Sequence, residues 1–250
     1  MGLAEAALLF LSALAGGAIN SIAGGGSFLT FPALVFTGTA PLAANATSTA
    51  ALWPGSVASS VGYRRELAGE RALFVPLSVV SALGGLLGAL GVLRTPQDLF
   101  VRLLPFLLLA ATLVFTFGDR LRGRLERFGA PPTWVVLLAQ LGISLYGGYF
   151  GGGMGLMMLA VFSLLGPKHL NSMNALKSAL GVAINATALV AFAVSGKVDW
   201  PRAGLMVVAA VIGGYVGAAL ARKVDVRKVK VAVTVIGWAM TVAFFVKTFA

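Results

Sequence analysis

Two glycine triplets break apolar stretches of this chain: Gly24, Gly25 and Gly26 in "INSIAGGGSFLTFPAL", and Gly151, Gly152 and Gly153 in "YGGYFGGGMGLMML". Glycine is a poor helix former, so three in a row open the backbone where a membrane helix would otherwise continue. Unpaired N–H and C=O groups at membrane depth are tolerated only where protein buries them or they line a watery cavity. Broken helices at matching places in two halves of a chain point to a transporter's binding site, with freed N–H groups directed at an anion. Asn20, Ser21 and Ser27 flank the first break. A second polar set lies in "NSMNALKSALGVAINAT", where Asn174, Lys177, Ser178 and Asn185 share one helical face at i, i+3, i+4 and i+11. Asn45, Ser48 and Thr49 hold the matching positions in the first half.

Lys177 falls about two turns into an apolar segment that begins near residue 170, too deep to reach the interface. A cation at that depth is a functional candidate by default, with pairing to a backbone carbonyl as the structural alternative. Every acidic residue (Glu5, Glu66, Glu70, Asp98, Asp119, Glu126, Asp199, Asp225) lies in a loop or near a segment end. That disfavours a cation or proton carrier, which usually keeps a carboxylate inside the membrane. Neutral donors, one lysine and two glycine turns suit a small oxyanion. The candidate substrate-binding set is therefore Asn20, Ser21, Gly24, Gly25, Gly26, Ser27, Asn45, Ser48, Thr49, Gly151, Gly152, Gly153, Asn174, Lys177 and Ser178. For Gly84, Gly85 and Gly88, and for Gly213, Gly214 and Gly217, close helix packing is the better reading. Pro54, beside Trp53, removes a backbone hydrogen bond and predicts a kink near the site.

The elements that must hold these residues are membrane helices. Of 250 residues 58% are hydrophobic and 11% charged, and the mean hydropathy is +0.93, far more apolar than soluble domains. The apolar runs recur along the whole chain, which argues against a cleaved signal peptide or a lone anchor. The formal charge of +11 sits in short loops between apolar spans, as the positive-inside rule expects of cytoplasmic loops, and implies no nucleic-acid partner. With no cysteine and a single His169, neither a thiolate nor a multi-histidine metal site can form, and no cofactor is expected. A serine hydrolase is disfavoured too, since His169 falls in a loop away from Ser27. Segments near 3–22, 42–62, 72–92, 99–117, 132–150, 170–195, 201–220 and 230–249 are each long enough to span a membrane.

The halves repeat. "NATS" at Asn45 pairs with "NALKS" at Asn174 (174 − 45 = 129), and "GGLLGA" at Gly84 pairs with "GGYVGA" at Gly213 (213 − 84 = 129). The triplets lie 151 − 24 = 127 apart, a two-residue indel. This reads as one all-α polytopic domain, 1–250, with repeat one at 1–117, a cytoplasmic basic linker at 118–131 and repeat two at 132–250. If all eight long segments cross, the loop cations divide ten to eight between the two sides, hardly a bias. If 3–37 and 132–166 are instead helical hairpins that turn at their glycines, each repeat crosses three times and the second is inverted. Thirteen cations (Arg64, Arg65, Arg71, Arg120, Arg122, Arg124, Arg127, Lys168, Arg222, Lys223, Arg227, Lys228, Lys230) then face five. The positive-inside rule prefers that arrangement, with both termini outside and Arg122 inside.

The stretches "GGGSFLTFPALVFTGTAPLAANATSTAALWPGSVASSVGYRREL" and "GGGMGLMMLAVFSLLGPKHLNSMNALKS" resemble the sulfite exporter TauE/SafE family over nearly the whole chain. The resemblance implies a bacterial-type inner-membrane carrier with about eight membrane segments, for small sulfur-containing anions such as sulfite, sulfoacetate or related organosulfonates. It marks Gly24 to Ser27, Asn45 to Thr49, Gly151 to Gly153 and Asn174 to Ser178 as the motif core. The expected partners are a small anionic substrate and the lipid bilayer. An anion channel or an importer of a related oxyanion are the alternatives, and efflux is favoured because an inside-negative potential assists it by about 2.3 kcal/mol per charge per 100 mV.

Overall fold

A computed structural model describes residues 1–125, 131–165, 170–221 and 225–249. Lys168, His169, Glu126, Arg127, Arg222, Lys223 and Ala250, used above for charge and topology, lie outside the described residues. The first half comprises α1 (Leu3–Ile22), α2 (Ser27–Phe36), α3 (Pro41–Gly62), a single turn α4 (Arg64–Ala68), α5 (Arg71–Arg94) and α6 (Gln97–Leu125). The second comprises α7 (Thr133–Tyr149), α8 (Met154–Ser163), α9 (Leu170–Val194), α10 (Trp200–Leu220) and α11 (Val226–Phe249). The protein is all-α and multi-pass. Helices α1, α5, α6, α9, α10 and α11 are each long and apolar enough to cross a membrane. Helix α3 is as long, at 22 residues, but carries a polar stripe, and α7 has 17 residues.

Side chains such as Leu83, Leu87, Val208, Ile212, Val235 and Val242 are exposed along these helices, which is the surface a bilayer covers. Trp134 and Trp200 are exposed at the first turns of α7 and α10, where indoles sit at the membrane–water boundary. Inside, the contacts rest on small residues. The missing side chain of Gly213 makes room for the Leu14 carbonyl and that of Gly217 for Ala18, seating α10 on α1. Gly84 and Gly88 receive Leu141 and Leu145 in the same way, seating α5 on α7. The pairs correspond, because 141 − 14 and 145 − 18 both equal 127. These glycines serve close packing.

Two polar contacts join residues 129 apart in sequence. Thr112 Oγ1 lies 3.2 Å from Thr241 Oγ1, and Trp53 Nε1 donates to the Val182 carbonyl at 3.2 Å. Away from Thr112 and Thr241, α6 and α11 run in opposite directions: Trp238 Nε1 donates to Thr116 Oγ1 at 3.0 Å, and the Phe106 ring meets those of Phe245 and Phe249. Helices α3 and α9 are antiparallel in the same sense, with Ser59 against Ser178 and Trp53 against Val182. Helix α3 continues through Pro54 as one element.

Each half opens with a bent pair of helices, and the two bends are built alike. Gly24 has φ +75° and Gly151 φ +80°, a left-handed backbone that favours glycine. The Gly24 N–H closes on the Ile19 carbonyl and the Gly151 N–H on the Tyr146 carbonyl, both at 3.1 Å. This is the six-residue closure of a Schellman-type helix end. Arg202 fixes the outer ends of the first pair. Its guanidinium donates to Glu5 Oε1 at 2.7 Å, to Asp199 Oδ2 at 2.6 Å and to the Thr37 carbonyl at 3.2 Å. The start of α1 and the chain just past α2 therefore lie at one level, beside the start of α10.

Candidate functional site

The tips of the two bent pairs meet. A methyl group on Gly24 would strike the backbone of Gly155 in the first turn of α8, and one on Gly155 would strike Gly24. Among the described residues the N–H groups of Gly25, Gly26 and Ser27, and those of Gly152, Gly153 and Gly155, have no acceptor. They are the orphan donors that a short helix leaves at its start. The Tyr146 hydroxyl sits 2.8 Å from the Gly152 carbonyl and steadies the second turn.

Lys177 comes in from α9. Its Nζ donates to the Asn20 carbonyl at 3.0 Å and to the Ser21 carbonyl at 2.8 Å. Both belong to the last turn of α1, whose carbonyls the glycine break leaves without helical partners. The ammonium thus closes the negative end of a broken helix, the carbonyl pairing that the sequence left open for it. Lys177 is 3% exposed and has no carboxylate partner among the described residues. Its stem passes over Gly155, where any larger residue would press on Lys177 Cδ. A hydroxyl chain runs beside it, with Ser59 Oγ donating to Ser21 Oγ at 2.9 Å and lying 3.1 Å from Ser178 Oγ. Asn20 Nδ2 donates to Ser56 Oγ at 3.2 Å.

The second break is closed from the opposite half. Asn45 Nδ2 of α3 donates to the Tyr149 carbonyl at the end of α7, at 3.0 Å. Each broken helix is therefore capped by a side chain of the other repeat. The counterparts differ in chemistry. Ser48, at the position matching Lys177, lies 2.6 Å from Thr30 Oγ1. Asn174, at the position matching Asn45, is 1% exposed, and neither its Oδ1 nor its Nδ2 has a partner among the described residues.

Two small cavities flank the crossing. Asn20, Ser21, Gly24, Lys177 and Ser178 line the first, which has a free volume of ≈ 20 Å³. Asn20, Ser27, Thr49 and Gly151 line the second, of ≈ 10 Å³. Each is the size of about one water, so the state described is closed. Asn45, Ser48 and Asn174 are buried nearby but line neither, and Gly25, Gly26, Gly152 and Gly153 contribute turn backbone only. Ser56 and Ser59 of α3 and Met154, Gly155 and Met158 of α8 join the first lining without having been singled out in the sequence. The α3 hydroxyls carry a signal: Asn45, Thr49, Ser56 and Ser59 recur at i, i+4, i+11 and i+14, one stripe of a helix.

An all-α multi-pass chain in which two broken helices meet around buried polar groups has the build of a membrane transporter. The chain belongs to the family described as "Sulfite exporter TauE/SafE", whose model matches residues 9–244. It is 29% identical over 238 residues to "Probable membrane transporter protein ORF9" of Sinorhizobium sp, covering 94% of this chain and 90% of that one. It is 27% identical over 242 residues to a "Probable membrane transporter protein" of Haemophilus influenzae, covering 96% and 94%. It is 30% identical over 220 residues to "Probable membrane transporter protein YfcA" of Escherichia coli K12, covering 85% and 79%. No solved structure matches the chain.

Proposed function

We propose that this member of the TauE/SafE family is a carrier of small sulfur-containing anions, sulfite or a short organosulfonate, and that it exports them across the cytoplasmic membrane. One observation carries the reading: the Lys177 ammonium is buried between the two glycine turns, held by two backbone carbonyls beside a chain of serine hydroxyls, with no acid to neutralise it among the described residues. A buried charge without a counter-ion is costly, and the attraction that repays it is strongest away from water. An anion arriving there gains the cation together with the free N–H groups of the turns. The family's description and the relatives' names support transport rather than catalysis.

In the proposed topology the two repeats lie in opposite orientations, both termini are outside and the 118–131 linker is in the cytoplasm. The antiparallel course of α6 against α11 and of α3 against α9 supports this, as does the charge asymmetry of the loops. With no carboxylate among the described residues around Lys177, the energy source we favour is the inside-negative potential, which drives a monoanion outward.

The test is flux in proteoliposomes with sulfite, sulfate, thiosulfate and short sulfonates. Saturable sulfite or sulfonate efflux, accelerated by the same anion on the far side, is the expected result. Linear flux without counter-transport would indicate a pore, and no flux of any sulfur anion would overturn the substrate class.

A further inference from the structure

The two cavities are images of each other. Thr49 in the second stands where Ser178 stands in the first, Asn185 where Ser56 stands and Leu52 where Gly181 stands, in each case 129 residues apart. Gly151 matches Gly24 at the 127-residue offset of the hairpins. Asn20 and Met154 line both, so the cavities abut at these two side chains, next to the contact of Gly24 with Gly155. They lie at different depths. Ser59 and Thr49 are ten residues apart on α3, or about 15 Å along a helix. The first cavity is towards Tyr63 and Arg64. The second is towards Thr47, which accepts the Asp199 N–H at 2.9 Å next to the Arg202 cluster.

The second cavity is also furnished for a ligand. Asn185 is 6% exposed, lines the cavity and makes no hydrogen bond among the described residues. Its amide is a buried polar group facing a space, and such a group costs stability unless something binds it. The Ser27 hydroxyl, which lines the same cavity, is without a partner among the described residues too, and the Ser27 N–H is one of the orphan donors. No cation belongs to this set, because the residue matching Lys177 is Ser48, which is taken up by Thr30.

We propose that the path holds two successive anion stations related by the repeat: a charged one at Lys177, Ser178 and Ser59, and a neutral one at Ser27, Thr49 and Asn185. Each opens to its own face of the membrane, and Asn20 and Met154 form the partition. The proposal rests on the carrier reading above and extends it with a second site. The charged station holds the anion and the neutral one lets it go, so that the unequal charges of two matching cavities give the path its polarity.

The native chain has no cysteine, so single cysteines report access directly. The probes are 2-sulfonatoethyl methanethiosulfonate, which is itself a sulfonate, and its trimethylammonium analogue, applied separately to each face of vesicles holding the full chain. Ser178→Cys should react only from the face that carries Arg64, and Thr49→Cys only from the face that carries Arg202. Ser56→Cys and Ser27→Cys form a second pair with the same expectation, in case either first variant fails to fold. Reaction of both members of a pair from one face, or of neither in folded protein, overturns the two stations. The sulfonate reagent should outpace the ammonium one about tenfold at Ser178→Cys and lose that lead when Lys177→Met is added, since a nearby charge sets the local concentration of ions. Opposite sidedness without the sulfonate preference supports two stations while overturning the anionic substrate.

Discussion

Gly24 and Gly155 lie backbone against backbone where the two bent helix pairs cross, each filling the space that a side chain on the other would need. Gly155→Ala should therefore push the hairpins apart. Overpacking of this kind costs about 1–3 kcal/mol, and Gly24→Ala adds about 1–2 kcal/mol for a left-handed backbone at φ +75°. Thermal unfolding of purified protein and sulfite flux in proteoliposomes read the two effects. Both variants should insert, unfold earlier and transport poorly. Unchanged flux in both would mean that the crossing has no part in transport.

Arg202 is a clasp between the first hairpin and α10, with Glu5, Asp199 and the Thr37 carbonyl as its acceptors. Arg202→Gln should lower stability by about 1 kcal/mol, the scale of a partly exposed ion-pair network, with a smaller deficit in high salt. Denaturation at two salt concentrations measures this. A deficit that did not shrink with salt would assign the loss to packing of the side-chain stem.

Thr112 and Thr241, 129 residues apart, meet where α6 crosses α11. The double variant Thr112→Cys, Thr241→Cys should cross-link on oxidation, whereas moving the second cysteine one helical turn away to Phe245 should weaken the yield. Equal yields at both positions would contradict the register described for these helices.

The two orientations of the repeats make a further expectation. Ser195→Cys, in the exposed turn before α10, should be labelled by an impermeant maleimide only from outside. Gly69→Cys, in the exposed turn after α4, should be labelled only from inside. Labelling of the two from the same face would rule out the proposed topology.

Much of this was legible because it follows from composition and period. The all-helical membrane class needed only the apolar runs, and the three glycines on each of α5 and α10 announced close packing by their i, i+1, i+4 spacing. What escaped were partners that leave no trace in a sequence. The acceptors of Lys177 are backbone carbonyls of Asn20 and Ser21, and every residue has a carbonyl. Gly155 drew no notice because it stands two places after the triplet, yet it and Gly24 make the crossing while Gly25 and Gly26 do not. Ser56 and Ser59 stand on the polar stripe of α3 that the spacing shows, but their partners Asn20 and Ser21 lie on another helix that the spacing does not show. Nothing near Arg202 in the sequence announces its clasp, because its acceptors Glu5 and Thr37 are distant along the chain.

The most direct measurement is the affinity of Lys177→Met for sulfite, taken together with its unfolding temperature. The substitution keeps the apolar stem over Gly155 and deletes the charge that faces Asn20 and Ser21. If the ammonium draws the anion, affinity falls at least tenfold, or about 1.4 kcal/mol. Stability should shift by no more than about 1 kcal/mol, because hydrogen bonds inside membranes average well under that each. Lys177→Arg should restore binding only in part, since a planar fork does not replace a compact ammonium. A methionine variant that binds sulfite as tightly as the parent, yet unfolds at a lower temperature, would leave Lys177 as no more than the cap of α1 and contradict an anionic substrate at this site.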